Sequence, residues 1–139
     1  MSFVSSWEVR VTWGDCDPAR IVFYPNYLVW FDHATHLLME RIDCAHKALM
    51  DRYGIIGLPI ADVSARFLRP SRWDDHLNIE SRIESCTEKF FTVLHQGYRD
   101  GRPMVEGREV RFLARRHPED PERLVADPIP AELAQLFMQ

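Results

Sequence analysis

Disulfide chemistry is the first thing this sequence lacks. Its three cysteines, Cys16, Cys44 and Cys86, are odd in number, widely separated and in no Cys-x-x-Cys pattern. That suits a reducing compartment and argues against both a disulfide framework and a structural zinc site. Long apolar runs are missing too. None reaches the length that spans a bilayer, and residues 1–6 have neither the basic start nor the apolar stretch of a signal peptide. A cytoplasmic protein with no membrane partner is the expectation. Nor is positive charge in excess: 17 Lys and Arg against 21 Asp and Glu leave a net charge of −4. Broad nucleic-acid binding is therefore not expected. A polyanionic small molecule needs only a local basic patch and stays open. Repeats, low-complexity stretches and linkers are absent, and 46% of the 139 residues are hydrophobic. The chain reads as one folded domain over residues 1–139.

What is present is an ordered change of hydrophobic period. Residues 7–13 alternate large apolar with polar side chains and read as a half-buried strand, which Asp15-Cys16-Asp17-Pro18 then breaks as a loop. Pro25 suits the first residue of a helix, since it has no N–H to leave unsatisfied and its φ is already helical. From there apolar residues recur at Tyr27, Trp30, Phe31, Ala34, Leu37, Leu38 and Ile42. That spacing predicts a helix to about Arg41 with one buried face. A second short helical turn is expected over 45–52, ahead of Gly54. Beyond Gly57-Leu58-Pro59 the period shortens to two, giving strands at 60–68, 76–86, 90–99 and 104–115. Asp100-Gly101, a strong hairpin dipeptide, joins the last two. The proline-rich stretch 118–130 reads as a loop and 131–137 as a short terminal helix. A strand, a long helix and then four sequential strands is an α+β order, one antiparallel sheet wrapped about one helix.

The chemistry-bearing segment is Gly14–Tyr27. Two carboxylates, Asp15 and Asp17, sit in a loop between strand and helix, with the apolar stretch Ile21–Tyr24 before the helix start. A helix N-terminus carries unsatisfied N–H groups and about half a unit of positive charge. A thioester carbonyl placed there is polarised and its oxyanion stabilised. Pro25 has no N–H, so the candidate donors are the amides of Tyr24, Asn26 and Tyr27. A nearby Asp can attack the carbonyl directly or deprotonate water. The competing view is that Asp-x-Asp is a turn or cap device and Pro-Asn ordinary helix grammar.

The stretch Gly-Asp-Cys-Asp-Pro-Ala, Ile-Val and Pro-Asn-Tyr closely resembles the signature of the 4-hydroxybenzoyl-CoA thioesterase family, especially its aromatic-acyl branch. The likeness continues through Trp30-Phe31-Asp32, Gly57-Leu58-Pro59-Ile60, Ser64-Ala65-Arg66-Phe67, Asp74-Asp75 and Ile79-Glu80-Ser81. The resemblance implies a hotdog fold, one antiparallel β-sheet wrapped around a long central α-helix. It implies an acyl-CoA thioesterase that uses water, with no metal and no other cofactor. Asp17 matches the family's catalytic carboxylate, as nucleophile or general base, and the Tyr24 amide matches the carbonyl-polarising donor. Asp32 matches a position that contacts a substrate ring hydroxyl, and Lys89 one position of a nucleotide-binding stretch. A hydroxylated benzoyl group, as in 4-hydroxybenzoyl-CoA, is the favoured acyl group, with medium-chain and phenylacetyl groups as alternatives for the same apolar pocket. Hotdog proteins pair sheets edge to edge, so a homodimer or homotetramer with the active site at the subunit interface is implied. Two positions depart from the pattern: Arg20 stands where the family usually has glycine, and the basic cluster around Lys89 is thinned to Thr87-Glu88-Lys89. Two rivals remain: a hotdog hydratase or dehydratase, and a non-catalytic acyl-CoA-binding module. The hydratases usually pair a His with the motif carboxylate, and no His falls between Gly14 and Tyr27.

Other polar residues have plainer readings. Cys16 sits between two carboxylates that disfavour its thiolate. Cys44 and Cys86 read as small core residues. His33 and His36 read as a solvated or interface helix face, with Asp32 an i,i+4 partner for His36. Arg66, Arg69 and Arg72, and separately Arg108, Arg111, Arg115 and Arg116, default to solvated faces or interface ion pairs. Phosphate contact is the sharper alternative for either group. Trp73 reads as a core plug or an adenine platform.

Overall fold

The period-two stretches of the chain build one sheet. The computed structural model describes residues 2–139. In it β1 (Ser5–Arg10), β2 (Ile60–Phe67), β3 (His76–Cys86), β4 (Phe91–Arg99) and β5 (Arg102–Arg111) pair antiparallel in the order β1-β3-β4-β5-β2. The β4–β5 hairpin turns on Asp100 (φ 49°) and Gly101 (φ 77°). Both are left-handed, as a turn matched to the strands' twist requires. Helix α1 (Pro25–Arg41) opens on Pro25 and packs against β1, β3 and β4. It buries Tyr27, Phe31, Ala34, Leu38 and Met39. Helix α2 (His46–Tyr53) ends at Gly54, whose φ of 66° is the left-handed stop that glycine adopts without strain.

Three expectations need correction. The strand expected at 104–115 is two strands: β5 ends at Arg111, and β6 (Leu113–Arg116) pairs with β7 (Leu124–Asp127) inside the stretch expected to be loop. The alternation breaks at Phe112-Leu113-Ala114, but three apolar residues in a row do not say that the strand changes partner. Backbone bonds from Ile56 N to Ala114 O (2.8 Å) and Ala114 N to Gly57 O (3.0 Å) draw β6 away from the main sheet. The first strand stops at Arg10 rather than Trp13. A 3-10 turn over Trp13–Asp15 follows, in which the Asp15 carboxylate accepts from both the amide and the hydroxyl of Thr12, each at 2.8 Å. Helix α3 (Ala131–Phe137) lies where expected and buries Leu133 and Phe137.

The core falls into two apolar clusters. One gathers Val9, Val11, Trp30, Phe31, Leu77 and Ile79; the other gathers Leu38, Met39, Ile83, Phe91, Val93 and Phe137. Between their positions on α1 and three neighbouring strands lie buried polar residues: Thr35 on α1, Ser81 on β3, His95 on β4 and Glu109 on β5. At the sheet's edge, β2 is exposed along nearly its whole length, with Ile60, Val63 and Phe67 open to solvent.

Candidate active site

The loop that carries Asp17 is held closed by its own backbone. Cys16 and Val22 form an antiparallel bridge, Asp17 N donates to Ile21 O at 2.9 Å, and Arg20 N donates to Asp17 O at 2.8 Å. This tight return puts Arg20 at φ 66°. A side chain there costs about 1–2 kcal/mol relative to the right-handed region. The two carboxylates divide their work. Asp15 is spent on Thr12, whereas Asp17 accepts one bond, from Ala19 N to Oδ1 at 2.8 Å. Asp17 Oδ2 has no hydrogen-bond partner among the described residues. Asp17 lines a hollow of about 330 Å³ with Trp13, Cys16, Arg20 and Trp73. The Cys16 thiol is pushed up by loss of hydration, then by Asp15 and Asp17, so it is a poor nucleophile.

The helix start is pinned to the same loop. Asp15 O accepts from Phe23 N and from Asn26 Nδ2, both at 2.8 Å. Of the three candidate amides, Asn26 N donates to Phe23 O (2.9 Å) and Tyr27 N to Tyr24 O (3.2 Å). The Tyr24 amide has no acceptor among the described residues, so it alone remains available to a ligand oxygen. Beside it opens a cleft of about 420 Å³ lined by Ile21, Tyr24, Tyr27, Phe67 and Leu68. Phe67 meets the Tyr24 and Tyr27 rings at 6.4 and 5.6 Å.

Asp32 does not share these cavities. It lines a separate cleft of about 380 Å³ with His36, His46, Leu58 and Arg111. His36 pairs with Glu40 at 3.1 Å rather than with Asp32. Asp32 Oδ1 instead accepts from Arg111 Nη2 at 2.7 Å. Arg111 is buried, which departs from the solvated reading given to its group. Its Nη1 donates to Leu58 O (2.8 Å), its Nη2 also to Glu109 Oε2 (2.8 Å), and its Nε to Glu109 Oε1 (3.3 Å). Glu109 further accepts from Thr35 Oγ1 and faces His95 Nε2 at 2.9 Å, while His95 Nδ1 lies 2.7 Å from Ser81 Oγ. The Phe31 ring stacks on His95 at 4.8 Å and 6°. Burial raises the Glu109 pKa, but bonds and charge from His95 and Arg111 outweigh it and bring the carboxyl from 4.5 down to about 2. For His46, burial first, then His36 and Arg111, push the imidazole pKa down.

Sequence reasoning missed Thr35, Ser81, His95 and Glu109. The available signal was a polar residue on the buried phase of an apolar strand: His95 falls in step with Phe91 and Val93.

Lys89 is exposed at the β3–β4 turn, at the opposite end of β3 from the Asp17 loop. The 11 residues of β3 put these ends about 35 Å apart. The other arginines divide. Arg108 pairs with Glu84 and Arg115 with Asp127, while Arg66, Arg69 and Arg72 have no carboxylate in reach among the described residues.

Residues 11–137 match the family model described as the thioesterase-like superfamily. The chain is 35% identical over 136 residues to a 4-hydroxybenzoyl-CoA thioesterase of Pseudomonas sp. strain CBS-3, covering 93% of this chain and 94% of the relative. The solved structure of 4-hydroxybenzoyl-CoA thioesterase from that strain superposes with a TM-score of 0.86 at 32% identity, covering 96% of this chain and 98% of that one. An Asp-to-Asn mutant of a 4-hydroxybenzoyl-CoA thioesterase, complexed with 4-hydroxybenzoyl-CoA, also gives 0.86, at 31% identity and the same coverage. A gentisyl-coenzyme A thioesterase gives 0.78 at 32% identity, again over 96% and 98% of the two chains.

Proposed function

The chain belongs to the thioesterase-like superfamily, has its hotdog fold and is an acyl-CoA thioesterase, and on that premise we propose that it hydrolyses 4-hydroxybenzoyl-CoA through Asp17. The observation that carries this is the Asp17 carboxylate, with one oxygen unengaged, on the loop that also fixes the free Tyr24 amide. Attack on the thioester carbon, by the carboxylate or by a water it deprotonates, breaks the carbon–sulfur bond and releases coenzyme A. If the carboxylate attacks, the resulting anhydride is cleaved by water, which returns Asp17. The Tyr24 N–H, with the dipole of α1 behind it, stabilises the developing oxyanion. The Asp-to-Asn relative complexed with its substrate supports a carboxylate in this role.

In this reading the working enzyme is a dimer, or a tetramer built from it. Two-fold pairing of β2 with its copy sets the Phe67 end of one strand against the Ile60 end of the other. Phe67 adjoins Tyr24, and Ile60 pairs with Arg111. The Asp17 corner of one copy would then meet the Asp32 cleft of the other, where Asp32 accepts the ring hydroxyl. Lys89, so far from Asp17 in its own chain, would serve the coenzyme A phosphates only from another copy. Three unpaired cysteines fit a cytoplasmic setting.

Asp17→Asn should lower kcat on 4-hydroxybenzoyl-CoA by about 100- to 10,000-fold, measured by thiol release with a chromogenic reagent, with the dimer intact by sedimentation. Near-normal turnover would remove Asp17 from the chemistry.

A further inference from the structure

Asp32 raises a question of geometry. It sits on the outer side of α1 with its side chain 67% exposed, and a free surface carboxylate there samples several rotamers. Specific recognition of a ring substituent needs it in one place. Its hydrogen-bond partner among the described residues is Arg111 Nη2 at 2.7 Å. Arg111, whose side chain is 5% exposed, cannot follow Asp32 outward. Its fork is fixed by Leu58 O on one side and both Glu109 oxygens on the other. Glu109 in turn is fixed by Thr35 and His95, and His95 by Ser81 and the face of Phe31. A buried chain thus runs from β3 through β4 and β5 and surfaces at one carboxylate.

We infer that Arg111, anchored by Glu109, is the positioning residue that holds Asp32 for recognition of a hydroxyl at the far end of an aromatic acyl group. The inference rests on the reading of Asp32 as the acceptor for that hydroxyl. Arg111 occupies Oδ1 and leaves Oδ2 as an oriented acceptor. The guanidinium N–H bond to Oδ1 also fixes the plane of the carboxylate, and with it the direction from which Oδ2 accepts. A phenol hydroxyl, which donates, suits the acceptor Oδ2, and a carboxylate substituent, which offers no donor, does not.

The test compares kcat/KM for 4-hydroxybenzoyl-CoA and benzoyl-CoA as a ratio, in wild type, Asp32→Asn, Arg111→Lys and the double variant Glu109→Leu/Arg111→Met. The double variant removes the buried pair together and leaves neither charge stranded, and Thr35 Oγ1 and His95 Nε2, 3.1 Å apart, can then pair with each other, which keeps the fold testable if Arg111→Lys does not fold. A hydrogen bond to a charged group is worth roughly 10- to 100-fold in binding. The expected result is that this much of the wild-type preference for the hydroxylated substrate is lost in all three variants, chiefly through KM. If Asp32→Asn loses the preference and the folded double variant keeps it, Arg111 positions nothing and the inference is overturned. If Asp32→Asn itself keeps the preference, the reading of Asp32 fails, and the inference falls with it.

Discussion

Replacing Glu109 by glutamine changes one oxygen to an amide and nothing in shape, yet it should be among the most destabilising substitutions in the chain. The carboxylate is surrounded by donors: Thr35 Oγ1, His95 Nε2, Arg111 Nε and Arg111 Nη2. Every site around it asks for an acceptor. A glutamine offers acceptance at one end only, so its NH2 must face a donor whichever way it is flipped. Two routes give the magnitude. Lowering the pKa from 4.5 to about 2 corresponds to about 3 kcal/mol. Removing one partner from a buried charged group costs about 3–5 kcal/mol. For 139 residues the unfolding entropy near 60 °C is about 0.3 kcal/mol per kelvin, so Tm should fall by about 10–17 °C. Calorimetry at pH 7 and one fixed protein concentration measures it. The dependence on pH has a definite sign. The folded pKa is depressed, so this stabilisation is complete above about pH 4.5 and is lost as pH falls toward about 2. The gap in Tm between wild type and variant should close over that window. A variant within about 3 °C of wild type at pH 7, below the roughly 1 kcal/mol such a shift represents, would refute the charged cluster.

Other substitutions probe the packing beside it and the Asp17 loop. Gly107→Ala would set a Cβ 2.4 Å from Phe31 Cε2, and the Phe31 ring cannot retreat because it stacks on His95. A loss of about 1–3 kcal/mol in urea unfolding is expected, and no loss would mean the ring is free to move. Arg20→Gly removes a side chain from φ 66°. It should leave stability unchanged or raise it by up to about 1 kcal/mol by the same measurement. A clear drop would mean the Arg20 side chain makes a stabilising contact.

Much of this fold is legible in sequence because it depends on period. Leu77, Ile79 and Ile83 alternate as they are buried, Pro25 opens the helix it announces, and Asp100-Gly101 makes the turn it predicts. Asp17 and Tyr24 enter as candidates by resemblance, and the structure supplies their local geometry. What stayed hidden depends on partners rather than pattern. The change of partner at Phe112 is marked only by the apolar run Phe112-Leu113-Ala114, which interrupts the alternation without saying which strand pairs next. Arg111 looked like one more surface cation. Its burial follows from Glu109, and Glu109's burial from His95 and Thr35, which are far apart in sequence. A single-residue scale prices each as exposed, because the energy that buries them exists only between them.

The polar layer between the two apolar clusters has a further consequence, for the choice among alternative assemblies of the same elements. Period two alone tolerates a slip: moving β4 by two residues against β3 keeps every apolar side chain facing inward. In the native register His95 lies opposite Ser81. A two-residue slip would carry it to a level where β3 offers Ile79 or Ile83, and would leave both His95 Nδ1 and Ser81 Oγ without their partner. Each misaligned arrangement therefore leaves buried polar groups unsatisfied, at several kcal/mol. The cluster works as a key cut across otherwise interchangeable ridges, and only one alignment of helix and strands lets it turn.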